Sequence, residues 1–173
     1  MSLLPIITAP DPRLKLISKP VAEVTDEIRE LVADMFETMY DAPGIGLAAI
    51  QVGEPKRLLV IDVVGKNSET EEPQPLAIIN PDIVWVSDED TAYEEGCLSV
   101  PEHYADVVRP AEIKVKFLDL DGEEQEIHAD GLLATCIQHE IDHLDGILFV
   151  DHISAIKRNM ILRKLVKQKK MAS

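Results

Sequence analysis

The sequence predicts an α+β fold: a single domain over residues 1–173, with antiparallel or mixed β-sheets around a central helix, an N-terminal helix and a C-terminal helix. Three observations predict it. Apolar residues recur at helical spacing in three well-separated segments; runs rich in β-branched residues, punctuated by turn signals, lie between the first two; and neither an internal repeat nor a linker divides the chain. With 173 residues, 46% of them hydrophobic, the chain is long enough to build a core without disulfide support.

The first helix is predicted over Thr25 to Tyr40. Ile28, Leu31, Val32, Met35, Phe36 and Met39 form its apolar stripe, Thr25-Asp26 is a start signal, and Asp41-Ala42-Pro43-Gly44 ends it. Strands follow at Arg57 to Val63, at Ala77 to Val86 with Pro81 as an interruption, and at Glu112 to Leu120. Asp121-Gly122 then turns the chain into the alternating Glu124–His128, a hairpin. Gly65 to Pro75 is expected as an exposed loop. The second helix runs from about Asp130, its expected N-cap, to Leu144, and Asp145-Gly146 closes it. The third, about Ser154 to Lys169, sets Ile156, Met160, Ile161 and Leu165 against a basic face.

Charge is unevenly spread. The net value is −15, yet no acid follows Asp151 while seven of the 17 basic residues lie from Lys157 to Lys170, so residues 1–156 carry −22. Such a body repels nucleic acid, and any phosphate contact is left to the third helix. No uncharged apolar run approaches the ~18 residues of a membrane span, and no basic segment followed by an apolar one opens the chain. The expectation is a cytoplasmic chain whose Cys97 and Cys136 are free thiols or ligands rather than a disulfide.

The second helix contains His139-Glu140-Ile141-Asp142-His143. Two histidines at i and i+4 project from one face, so both imidazoles can reach one metal with Glu140 beside the open coordination position. The plain alternative is a pair of surface histidines on an acidic helix. A catalytic site needs a third ligand. Cys136 shares the face, but its seven-residue separation from His143 is about 10.5 Å of rise. A metal–sulfur bond of ~2.3 Å does not easily close that gap, so Cys136 reads as a small buried hydrophobe lining the site. Cys97, after Gly96, can approach from a separate element, although a lone cysteine after glycine is often an ordinary core residue.

Gly44 to Gly53 formally fits G-x-G-x-x-A, the dinucleotide fingerprint. That motif must follow a strand and open a helix, whereas here a helix precedes it and a strand follows. Two glycines and small alanines suit instead a backbone held open for a ligand or peptide, with Gln51 as a neutral amide donor.

Taken together, G-I-G-L-A-A-I-Q (44–51), E-G-C-L-S (95–99) and Q-H-E-I-D-H-L (138–144) resemble the peptide deformylases in order, spelling and spacing, and the chain resembles the bacterial form with a C-terminal helix. The resemblance implies that Cys97, His139 and His143 hold one divalent metal, Fe2+ in the cell, with Zn2+ or Ni2+ possible in purified protein. It implies that Glu140 takes the proton of the attacking water, and that the Gln51 amide and the Leu98 backbone N–H help stabilise the oxyanion as formate leaves an N-formylmethionyl nascent peptide. The backbones of Ile45, Gly46 and Gly96 resemble those that pair with an extended peptide. Ile45, Tyr93, Leu132, Thr135 and Cys136 align with the methionine pocket.

Tyr93 and Thr135 replace aliphatic residues familiar in the family, and Tyr104 stands where some relatives carry arginine. Glu95 and Arg109 are expected either as an ion pair supporting the Cys97 segment or as two solvated charges. The basic third helix resembles the family's ribosome-docking helix, and the chain is expected to be a monomer. Two rivals stand beside this reading: an H-E-x-x-H metallopeptidase, whose third ligand usually lies downstream, and a non-catalytic ribosome-associated module with a structural metal.

Overall fold

The computed structural model of the protein describes residues 2–64 and 71–172. Helix α1 spans Asp26–Asp41, and Thr25 caps it by accepting the Ile28 N–H at 3.3 Å, with Asp26 and Glu27 in the first turn complementing the helix dipole. A five-stranded sheet follows, built from β1 (Gly46–Ala48), β2 (Leu58–Ile61), β3 (Leu76–Val86), β6 (Glu112–Leu118) and β7 (Glu124–Asp130), in the order β1-β2-β3-β6-β7. Between β3 and β6 the chain forms a separate two-stranded sheet of β4 (Asp90–Cys97) and β5 (Val100–Pro110). Every strand pairing is antiparallel. Helix α2 spans Gly131–Leu144 and α3 Ala155–Ala172.

Period-two alternation explains the layering. Leu58 and Val60 of β2 pack toward α1 with Met35 and Met39, while Leu59 and Ile61 pack toward α2 with Ile137 and Ile141. A strand covered on both sides needs apolar residues throughout, and all four β2 residues are buried. A third cluster, including Ile7, Val107, Phe149 and Leu165, joins the N-terminal segment, the β4–β5 sheet and α3.

The predicted elements appear with three refinements. The interruption at Pro81 is a bulge: the β3–β6 register shifts between Ile79 and Asp82, and Asn80, at φ 51°, exchanges two hydrogen bonds with the Val21 backbone. Asp130 occupies the N-cap position of α2, but its carboxylate makes no capping bond. It is also the last residue of β7, and the turn into α2 is made by Gly131 at φ 54°. Of the loop expected over 65–75, residues 65–70 lie outside the described residues, while 71–75 are exposed and irregular.

Candidate metal centre and active site

Two elements converge on one cluster of three donors. His139 and His143 project from buried α2, and Cys97 ends β4, where Leu98-Ser99 turns the chain into β5 with Cys97 opposite Val100. One donor atom from each of the three lies within 4.8 Å of the others, and Cys97 Sγ is 3.3 Å from His143 Nε2. The Glu140 carboxylate stands 4.0 Å from Nε2 of both histidines. The resemblance-implied triad is therefore brought together, and Cys136 is left out of it. Cys136 is buried, its Sγ lies 3.8 Å from the Ile45 carbonyl, and burial raises its thiol pKa well above the ordinary value, helped by Glu140.

Two of the three donors are held from behind, whereas the buried Nδ1 of His143 has no hydrogen-bond partner among the described residues. His139 donates from Nδ1 to Glu95 Oε1 at 2.9 Å, which turns Nε2 toward the cluster, and Phe149 stacks on its ring. Arg109 grips Glu95 with a fork of 2.7 and 2.9 Å, and its third arm reaches Asp142 at 2.8 Å. Asp142 also accepts a 2.8 Å bond from His152 at the surface. Arg109 and Glu95 are both buried, so of the two expectations for this pair the supporting ion pair is the one found. The Cys97 sulfur accepts from the Ser99 N–H and from Gln51 Nε2. Gln51 is oriented by the Ala48 N–H on its Oε1 and by Ser99 Oγ on its Nε2.

Electrostatics sharpen the picture. Burial opposes charge on His139, but Glu140, Cys97 and Glu95 outweigh it and hold its pKa well above the ordinary value. Burial, together with His139, keeps His143 well below it. Burial pushes Glu140 up to about 7, near the value that suits proton transfer at neutral pH. One thiolate with two imidazoles suits Zn2+ or Fe2+. The donor set therefore fits a divalent metal.

The cluster opens into a cleft of about 590 Å³. Gln51, Leu98, Glu140 and every predicted substrate contact line it: Ile45, Gly46, Tyr93, Gly96, Leu132, Thr135 and Cys136. The glycine at 46 is a close-approach position, because a Cβ there would stand 2.5 Å from Glu140 Oε2 and 3.0 Å from Cys136 Sγ. Sequence reasoning missed Ser99, Asp142 and His152. Asp142 stood inside the quoted motif, one residue before a ligand; His152 gave no signal, since only folding brings it to Asp142.

Comparison with known proteins follows the same line. The sequence model of the family described as polypeptide deformylase matches residues 3–159. A peptide deformylase of Rhodopseudomonas palustris strain BisB5 is 62% identical over 170 residues, covering 98% of this chain and 97% of the relative. One from Brucella suis is 57% identical over 173 residues, covering 100% and 95%. Among solved structures, the peptide deformylase of Ehrlichia chaffeensis in complex with actinonin aligns with a TM-score of 0.91 at 49% identity, covering 97% of this chain and 98% of that one. That of Legionella pneumophila aligns with a TM-score of 0.89 at 48% identity, covering 98% and 97%.

Proposed function

The chain belongs to the polypeptide deformylase family of metal-dependent hydrolases, which remove the N-formyl group from nascent peptides, and from that premise we propose which of its residues carry the reaction. The observation that carries the proposal is the Cys97–His139–His143 cluster with the Glu140 carboxylate 4.0 Å from both imidazole Nε2 atoms.

Cys97, His139 and His143 hold one divalent metal, Fe2+ in the cell and Zn2+ or Ni2+ in some purified material. When bound, that ion supplies Lewis acidity and makes water a nucleophile near neutral pH. Glu140 accepts the proton of the water that attacks the formyl carbon and returns it to the departing amine, releasing formate. Burial acts on its carboxylate in the direction that favours holding a proton. The Gln51 amide and the Leu98 backbone N–H donate to the carbonyl oxygen as charge develops there. Main-chain groups of Ile45, Gly46 and Gly96 hold the peptide as an added strand, and Ile45, Tyr93, Leu132, Thr135 and Cys136 take the methionine side chain.

The proposal extends to the whole chain. Residues 1–173 work as one catalytic domain and as a monomer, in the cytoplasm where formylated nascent peptides emerge, and the basic α3 docks on the ribosome. Seven cations between Lys157 and Lys170, against −22 over residues 1–156, support that last point. The described helices include none long and apolar enough to cross a membrane.

The test is anaerobic formate release from formyl-Met-Ala-Ser by the ferrous protein and by Glu140→Ala, with bound metal quantified in both. We expect about a thousandfold loss in a variant that keeps its metal. Undiminished turnover by that variant would overturn the role of Glu140. Cleavage of unformylated peptides, with none of formylated ones, would point to the metallopeptidase reading.

A further inference from the structure

A second groove, about 550 Å³, lies between β5 and α3. Tyr104 belongs to its wall and to that of the catalytic cleft. The Tyr104 ring lies directly over Gly96: a Cβ on that glycine would stand 2.5 Å from Tyr104 Cε1. The ring is nevertheless 66% exposed, so it forms a shared aromatic threshold between two cavities rather than part of the core.

Beyond the threshold, α3 presents Lys157, Met160, Ile161 and Lys164, which fall on one helical face, and Ile153 adds apolar floor. Met160 is half exposed. Neither lysine has an acidic partner within 4 Å among the described residues; Asp106 of β5 is the one acid in the lining.

From this continuity, and resting on the deformylase reading, we infer that the groove between β5 and α3 binds the downstream part of the same polypeptide whose formyl end occupies the cleft. An extended chain advances ~3.3 Å per residue. Residues that follow those held in the cleft therefore pass Tyr104 and enter the groove. The lining suits a substrate of varied sequence. Methionine adapts to many shapes, an aromatic face accepts most side chains, and two unpaired lysines favour segments that mix acidic and apolar residues. Sequence preference thus reaches well past the formyl-methionyl end, and it belongs to the free enzyme, without the ribosome.

The experiment uses the metal-loaded full chain, ribosome-free, with three peptides: formyl-Met-Ala-Ser, its extension formyl-Met-Ala-Ser-Gly-Ser-Leu-Glu-Leu-Glu, and the same extension with Lys in place of Glu. The expected kcat/KM for the acidic extension is about tenfold above that of the tripeptide, carried by KM, with the lysine extension below the acidic one. In Lys157→Glu combined with Lys164→Glu, the two extensions exchange rank while the tripeptide stays within about twofold, because both positions are exposed on α3. Failure of the wild type to act on the tripeptide would sink the deformylase reading itself. Normal tripeptide turnover with no gain from extension, or an unchanged rank in the double variant, would overturn the groove alone. If those same substitutions changed ribosome co-sedimentation or self-association instead, the groove would belong to a ribosomal partner or a second copy.

Discussion

Helices α2 and α3 are of similar length and opposite circumstance. Ten of the fourteen residues of α2 are buried, histidines and glutamate included, whereas Leu165 is the buried residue of α3 among those described. The contrast separates two ways of using a helix. In α2 most polar groups are taken from water, and neighbours such as Glu95 and Arg109 fix the position of His139 and Asp142. In α3 most side chains are exposed, although Lys169 donates to the Thr8 carbonyl, and what the helix contributes is a surface that others can read.

Substitutions can break that contrast or sharpen it. Arg109→Met strikes hardest: it leaves Glu95 and Asp142 without their shared cation in a buried setting, and we expect about 3–5 kcal/mol lost in urea unfolding together with weaker metal retention. A stability within 1 kcal/mol of wild type would mean that the network is not what holds α2 against β4. Gln51→Leu removes a donor, so kcat for formyl-Met-Ala-Ser, compared at equal bound metal, should fall by a factor equivalent to about 2.7–4 kcal/mol, and the loss of its bonds to Ala48 and Ser99 should cost about 1–3 kcal/mol of stability. An equal change in KM alone would reassign Gln51 to substrate binding. His152→Phe removes one of two bonds to Asp142 and acts at a distance. We expect metal to dissociate up to about tenfold faster, with stability altered by less than about 1 kcal/mol. The smallest structural effect is predicted for Lys164→Glu combined with Lys167→Glu on α3. Unfolding should change by no more than about 0.5 kcal/mol, and tripeptide turnover should hold. Co-sedimentation with ribosomes should weaken several-fold; unchanged pelleting would count against ribosome docking.

The same contrast explains what the sequence made legible. The stripes of α1 and α2 and the β-branched runs of β2, β3 and β6 were readable because each answers to one dominant burial pattern. The β4–β5 hairpin was not: Asp90–Cys97 is acidic and poor in β-branched residues, and its turn, Leu98-Ser99, carries neither glycine nor asparagine. The pairing rests on Val107 and Arg109 meeting other elements, a long-range cause with no local trace. The donors were legible as spelling: His139 and His143 by helical spacing, Cys97 by resemblance. The chain of groups behind them was legible only to Arg109. Asp142 and His152 lie ten residues apart and meet through the turn at Asp145-Gly146, which no spacing rule announces.

Strand β1 ends the five-stranded sheet and β4 borders the smaller one, so the cleft runs between two sheet margins. An unpaired margin is also a template on which neighbouring chains can stack into aggregates. Here the liability is contained by dimension: β1 is three residues long, Leu47 and Ala48 are fully buried, and its glycine abuts the Glu140 carboxylate. A margin that short accommodates one extended visitor and gives a growing fibril too little to extend. At the β1 side of the cleft, a second chain should therefore find little to pair with.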